Sequence, residues 1–142
     1  MRAKLPVVMV AVCALLGGAV SAYAHHGFGV EFDANNCRDL KGTLTGITWE
    51  NPHAYFDMAV PDADGKTVSW HLEMVTPNAL KRTGSTKEVF LDNIGKTMNA
   101  RICLAKGGKE NRGAASYIAL SDGLIRLVGQ GVERRTDEQK HF

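Results

Sequence analysis

The sequence predicts a mainly β protein: a small OB-like antiparallel barrel of five to six strands, with a short helical connection between strands 3 and 4. Three observations carry this. Stretches of alternating polarity fill residues 40–74, a segment with helix start and stop signals follows, and two or three further strand-like stretches come after it. Three strands, a helical connection and then the remaining strands is the order of an oligonucleotide/oligosaccharide-binding barrel. A lipocalin-like barrel or a sandwich is the alternative, disfavoured by where the helical segment falls. No internal repeat is evident.

The elements follow from local chemistry. Residues 25–36, rich in Gly, Asn and Asp, read as an arm with Phe28 and Phe32 as anchors. Over 40–49, Thr43, Thr45, Ile47 and Trp49 share one parity, and the glycines among them suggest a bend or bulge. Asn51-Pro52 makes a turn. Over 53–60, Ala54, Phe56, Met58 and Val60 alternate with His53, Tyr55 and Asp57. Over 67–74, Val68, Trp70, Leu72 and Met74 alternate with Ser69, His71 and Glu73. With Gly65 closing the 61–65 loop, these two stretches form a β-hairpin with one apolar and one polar face. Pairing around that loop sets Tyr55 opposite His71 and His53 opposite Glu73.

Thr76-Pro77 is an N-cap followed by proline at the first helical position, and Gly84 stops that helix. Ser85 with Glu88 reads as a capping box opening a second helical turn through Leu91. Residues 97–104 form the next strand, with Met98, Ala100, Ile102 and Leu104 inward. Gly107-Gly108 turns the chain, 115–120 returns, and Asp122-Gly123 turns it again before 124–128. The barrel domain is therefore 37–128, followed by a charged tail over 129–142 without periodicity, expected to be disordered.

The chain has 142 residues with 17 Lys+Arg against 15 Asp+Glu, enough for one domain. Hydrophobic residues make up 44%, which excludes wholesale disorder. Arg2 and Lys4 precede an apolar stretch over 5–20, and Ala22 and Ala24 supply small residues for cleavage. Residues 1–24 thus read as a signal peptide, and the protein as periplasmic or secreted. The apolar run, about 16 residues, falls short of the roughly 20 needed to span a bilayer, so no transmembrane anchor is expected after processing. Lipid attachment at Cys13 is disfavoured by Val12 before it and by its place inside the apolar run.

Cleavage after Ala24 would remove Arg2 and Lys4, leaving 15 basic against 15 acidic side chains. A balanced surface offers no field for a polyanion, so nucleic acid is not an expected partner. Two cysteines would remain, Cys37 and Cys103, and an even count in an oxidising compartment reads as one disulfide. Two buried thiols are the alternative.

Several motifs stand together: His25-His26-Gly27-Phe28, Phe32-Asp33, Gly42 through Trp49 to Asn51-Pro52-His53, Asp64-Gly65-Lys66, Trp70, Glu73, Pro77 to Leu80, and Asp122-Gly123. In this combination the chain resembles an exported bacterial family of unknown function, marked by the mature His-His-x-Phe start and the Trp-x-Asn-Pro-His motif. The resemblance extends from His25 to about residue 127. It departs from the family pattern at Ser85, where an aromatic residue is usual, and in its cysteine pair, which the pattern lacks. The resemblance implies boundaries and compartment, not an activity.

The sharpest chemical feature is that cleavage would expose His25, with His26 second. A free amine beside an imidazole is a chelate, and such nitrogen donors favour copper(II) among divalent ions. His53 and His71, on the polar hairpin face, could complete a metal site, with Tyr55, Asp57 and Glu73 as supporting hydrogen-bond partners. The expected function is an exported, non-enzymatic metal-binding or metal-handling module, with copper as the favoured ion and His25, His26, His53 and His71 as ligands. The alternative is a metal-free accessory barrel that binds a small ligand or an exported or membrane-associated protein. In that case the histidines only cap a turn or pair across the strands. Lys106, Lys109 and Arg112 are either a basic binding rim or ordinary solvated hairpin charges.

The weaker constellations exclude several classes. Asp57, Asp62 and Asp64 lack a calcium-loop spacing. No haem-attachment, phosphate-loop or nucleophile-elbow motif is present, and Ser69 beside His71 makes no catalytic pair.

Overall fold

The computed structural model describes residues 27–130. The expected signal peptide, His25, His26 and the tail beyond residue 130 lie outside the described residues. A single helical turn, α1 (Phe28–Glu31), leads into a 17-residue strand, β1 (Phe32–Thr48). Then come β2 (Tyr55–Pro61), β3 (Thr67–Glu73), two short helices, α2 (Pro77–Arg82) and α3 (Lys87–Leu91), and β4 (Thr97–Ala105), β5 (Arg112–Ala119) and β6 (Ile125–Leu127). Among these residues no helix is long and apolar enough to cross a membrane.

The sheet runs β3-β2-β1-β4-β5-β6, and a further β3–β5 pairing closes the first five strands into a barrel. The mainly β, OB-like fold with helices between strands 3 and 4 is as expected, with one difference. The closing pair is parallel, His71 beside Arg112 and Glu73 beside Ala114, so the barrel is mixed and not wholly antiparallel. β5 serves two neighbours in turn. Its first residues close on β3, and Tyr117–Ala119 pair with β6 outside the barrel. Val128 fills the seam above, where Val75 N–H donates to its carbonyl and its own N–H donates to Ser116.

β1 starts at Phe32, inside the stretch expected to be an arm, because Phe32 is buried and pairs with Ala105. The next pair is Cys37 with Cys103, so residues 33–36 bulge out of the ladder. Cys37 and Cys103 form the expected disulfide at the foot of that bulge. The second irregularity in β1, between Leu44 and Gly46, is the bulge expected from its glycines. Gly42 has a different reason to be glycine: a Cβ there would collide with the Ala59 carbonyl of β2.

Alternation delivers the core as expected. Phe56, Met58, Trp70, Leu72, Met98 and Ile102 all point inward and are buried, with Leu104 half-buried against them. The helical connection plugs one end of the barrel through Leu80 and Phe90, and the Phe90 ring lies 6.0 Å from that of Trp49. α2 starts as expected, with Ala79 N–H donating to Thr76 Oγ1 (3.2 Å). It ends at Gly84, whose φ of +77° lets the Gly84 and Ser85 N–H groups reach the Lys81 and Leu80 carbonyls. Ser85 is thereby used up closing α2, and the N-cap of α3 is Thr86, not the expected Ser85. Glu88 is held below the ordinary carboxylate range by its own backbone N–H and then by the Thr86 hydroxyl.

Candidate functional site

Strand parity sets Tyr55, Asp57, His71 and Glu73 on the outer face of the β2–β3 hairpin, with His53 just before β2. The register is two residues from the expected one: Tyr55 lies opposite Glu73, and Asp57 opposite His71. The cause is the loop. Pro61 pairs with Thr67, and residues 62–66 form the turn around Asp62, whose Oδ1 accepts from the N–H groups of Asp64 (2.9 Å) and Lys66 (2.7 Å). A shift of two keeps every side chain on its face.

Side-chain contacts then join residues that the register sets diagonally. The Tyr55 ring stacks on His71, centroids 4.8 Å apart and planes 10° off parallel. His53 Nδ1 lies 3.5 Å from Glu73 Oε1, and the Tyr55 hydroxyl donates to Glu73 Oε2 (3.3 Å). Each imidazole is also anchored at Nδ1. His53 donates to the Met74 carbonyl (3.1 Å), and His71 donates to the Asp57 carboxylate (2.7 Å). A carbonyl or carboxylate oxygen accepts, so Nδ1 is the donor in each contact and Nε2 is the ring nitrogen left to face another partner.

Burial raises the Glu73 carboxyl above the ordinary carboxylate range, while the nearby His53 and the Tyr55 hydroxyl pull it down. Burial also raises the Tyr55 phenol, helped by the Glu73 charge. Glu73, at 15% side-chain exposure, is less solvated than His53 at 27%. Asp57 and His71, at 39% and 40% side-chain exposure, sit closer to solvent.

A cavity of about 460 Å³ opens beside this cluster. His53, Tyr55 and Glu73 form one part of its lining, and Gly27, Phe28 and Phe32 another. Phe28 and Phe32, expected as anchors of an arm, lie with their rings 5.3 Å apart in this lining. The β4–β5 connection holds α1 in place. Lys106 N–H donates to the Glu31 carbonyl (2.8 Å), its ammonium donates to the Gly29 carbonyl, and Lys109 lies 3.8 Å from Glu31. Arg112 is also part of the lining, brought there by the parallel β3–β5 seam.

The structure therefore brings together four of the expected residues, His53, Tyr55, Glu73 and, through its stack on Tyr55, His71. Asp57 holds His71 from outside the cavity lining. Among the described residues, no three His, Cys, Asp or Glu side chains are grouped to hold a metal ion. Glu31, Pro52, Thr76 and Gln130 also line the cavity, and sequence reasoning did not select them. Arg112 was visible only as one of several loop charges, since a parallel closing pair leaves no local pattern.

Fold and site together define a small OB-like barrel with a polar, aromatic-edged cavity beside its second and third strands. A protein-family model described as a family of unknown function (DUF6152) matches residues 12–114, and the chain belongs to that family. No curated protein and no solved structure matches it.

Proposed function

We propose that this is an exported, periplasmic or secreted metal-binding module without catalytic activity, with copper as the favoured ion. Its ligands would come from the processed N-terminus at His25 and His26 and from the hairpin face. One observation carries the reading: Gly27, joined directly to His26, lines the same cavity as His53. Two residues of chain span at most about 7 Å, so donors of a terminus starting at His25 would be within reach of this wall. The anchoring of His53 through Nδ1 adds support, because ligating histidines commonly donate their other ring N–H to a carbonyl or carboxylate. His71, outside the cavity lining, acts through its stack on Tyr55 and weakens binding less when lost. Imidazole and amine bind metal only when unprotonated, so affinity falls on acidification.

Copper(II) titration of chain beginning at His25, followed by electron paramagnetic resonance, tests this. One residue added before His25 should abolish the tight chelate, and His53→Ala should weaken binding and alter the spectrum. Equal affinity in the isolated 25–32 peptide, with no spectral effect of His53→Ala, would overturn the barrel's part in the site. That outcome would favour the metal-free accessory reading, for which the exposed Leu124, Ile125 and Leu127 on and beside edge strand β6 offer a surface.

A further inference from the structure

We propose that the barrel mouth opposite the helices binds a small aliphatic carboxylate, held at its headgroup by Arg38 and the Trp70 indole N–H. The helical connection leaves β3 after Glu73 and enters β4 at Thr97. The other end of the barrel is therefore where β3 begins, at Thr67, and where β4 ends, at Ala105. Two adjoining cavities of about 440 and 280 Å³ open there. Together they fall in the range of small-molecule sites, about 300–1,000 Å³. Both linings lie between residues 38 and 111, well inside the described chain, and they share Arg38, Trp70 and Asn111. Neither has a residue in common with the cavity beside His53.

Arg38 occupies a position where strand parity calls for an apolar side chain. It pairs with Ile102 of β4 as Leu40 pairs with Ala100, and those three apolar residues are buried. Arg38 thus stands on the inward parity of β1, at the mouth. Its guanidinium lies 5.5 Å from the centre of the Trp70 ring and covers it. Among the described residues it has no ion pair or hydrogen bond, although Asp62 and Glu110 line the same cavities. Asp62 accepts instead from the N–H groups of its own turn, and Lys109, the other cation of the lining, lies with Glu31. The planar fork of Arg38 stays open, and it matches a carboxylate with two parallel bonds.

Trp70 adds a donor without an acceptor. The residue is 8% exposed, yet its indole N–H makes no hydrogen bond among the described residues. A buried indole N–H ordinarily finds a partner. Ser85 Oγ is the one fully enclosed side-chain oxygen or nitrogen without a partner among these residues, so the Trp70 N–H reaches solvent where the residue lines the cavities. The Asn111 amide, in both linings, is likewise unbonded among the described residues. An arginine stem laid over apolar surface accounts for the covered ring. It does not account for Arg38, Trp70 and Asn111 gathering donors around no acceptor. Beyond these donors the wall is apolar: Val60 and Val68 pair across the hairpin, with Leu40 on the same side and Leu104 on the other. Because Arg38 already covers the Trp70 face, a stacking ring or sugar finds no platform. An oxygen anion with an alkyl chain satisfies both donors and wall.

Octanoate is the probe, titrated into the protein without added metal and followed by heteronuclear NMR. The chain has two tryptophans, and Trp70→Phe assigns their indole signals. The Trp70 signal should move with saturation, while that of Trp49, packed on Phe90 at the helix-plugged end, should stay. Arg38→Gln should weaken octanoate about tenfold or more, and Arg38→Lys, which keeps the charge and loses the fork, by less. Butanoate should bind more weakly than octanoate, by up to about fourfold for each methylene missing. Octanol, with the chain but no charge, should bind about tenfold more weakly than octanoate and equally well to wild type and Arg38→Gln. Circular dichroism checks each fold, and the exposed Arg38 side chain makes its variants the decisive pair. No binding at millimolar octanoate, a response at Trp49 in place of Trp70, equal affinity in wild type and Arg38→Gln, or octanol binding as tightly as octanoate would each overturn the proposal.

Discussion

Glu73 is where single-residue chemistry is most exposed to measurement. Its carboxyl is raised by burial, so the folded state holds the proton more tightly than the unfolded chain does. That contribution to stability is complete below the ordinary carboxylate range and is lost as pH rises through the folded value. Glu73→Gln, which cannot ionise but still accepts from Tyr55, should therefore gain on the wild type in melting temperature between pH 4 and pH 7. A constant difference across that range would contradict the assignment. Ser85 makes a second case. Its side chain is fully buried, and its Oγ has no hydrogen-bond partner among the described residues. An unpaired buried hydroxyl costs on the order of 1–3 kcal/mol. Ser85→Ala should accordingly stabilise the fold by about 1 kcal/mol in denaturant titrations, after allowance for the atom removed. The sequence showed Ser85 as a cap because Ser-x-x-Glu satisfies the local rule. Gly84 claimed the Ser85 N–H for the previous helix, and that competition is invisible in a four-residue window.

At the scale of elements, the hairpin was legible because period-two alternation is set by the chain's own pleat. Trp70, on the inward parity of β3, is buried with Arg38 over its ring at 5.5 Å. Trp70→Ala should cost roughly 3–5 kcal/mol, seen as a lowered denaturation midpoint, and an unchanged midpoint would contradict the inward placement. Register was less legible than parity. Where a five-residue loop begins depends on which side chain nucleates it, and here Asp62 accepts two backbone N–H groups, so the loop is 62–66 and not 61–65. The start of β1 was hidden for a similar reason. Residues 33–36 break the alternation because they bulge, so Phe32 reads as an isolated anchor although it pairs with Ala105.

At the scale of the molecule, one covalent link and one seam hold the barrel. The disulfide joins residues 66 apart on adjacent strands. For a loop of that length the chain-entropy model gives roughly 4 kcal/mol. Reduction in denaturant titrations should lower stability by up to about that amount, and intact mass should rise by two hydrogens on reduction. The seam was the part of the fold least visible in sequence. Parallel closure between β3 and β5 depends on how β1 bends to pair with both β2 and β4, a property of the whole sheet. The same seam carried Arg112 into the cavity, so the least legible part of the topology also assembled the least legible part of the site.

The division of β5 between two neighbours has a consequence for the order in which the protein can be finished. A chain delivered from its N-terminus has β1, β2 and β3 in hand while the strand that closes on β3 is still missing. Until about residue 114 arrives, Phe56, Met58 and Leu72 sit on an uncovered meander, open to any apolar surface nearby. Completion is thus a late event, set by the final quarter of the described residues. A chain cut after Ala105 should remain an open sheet that self-associates, and light scattering would report it.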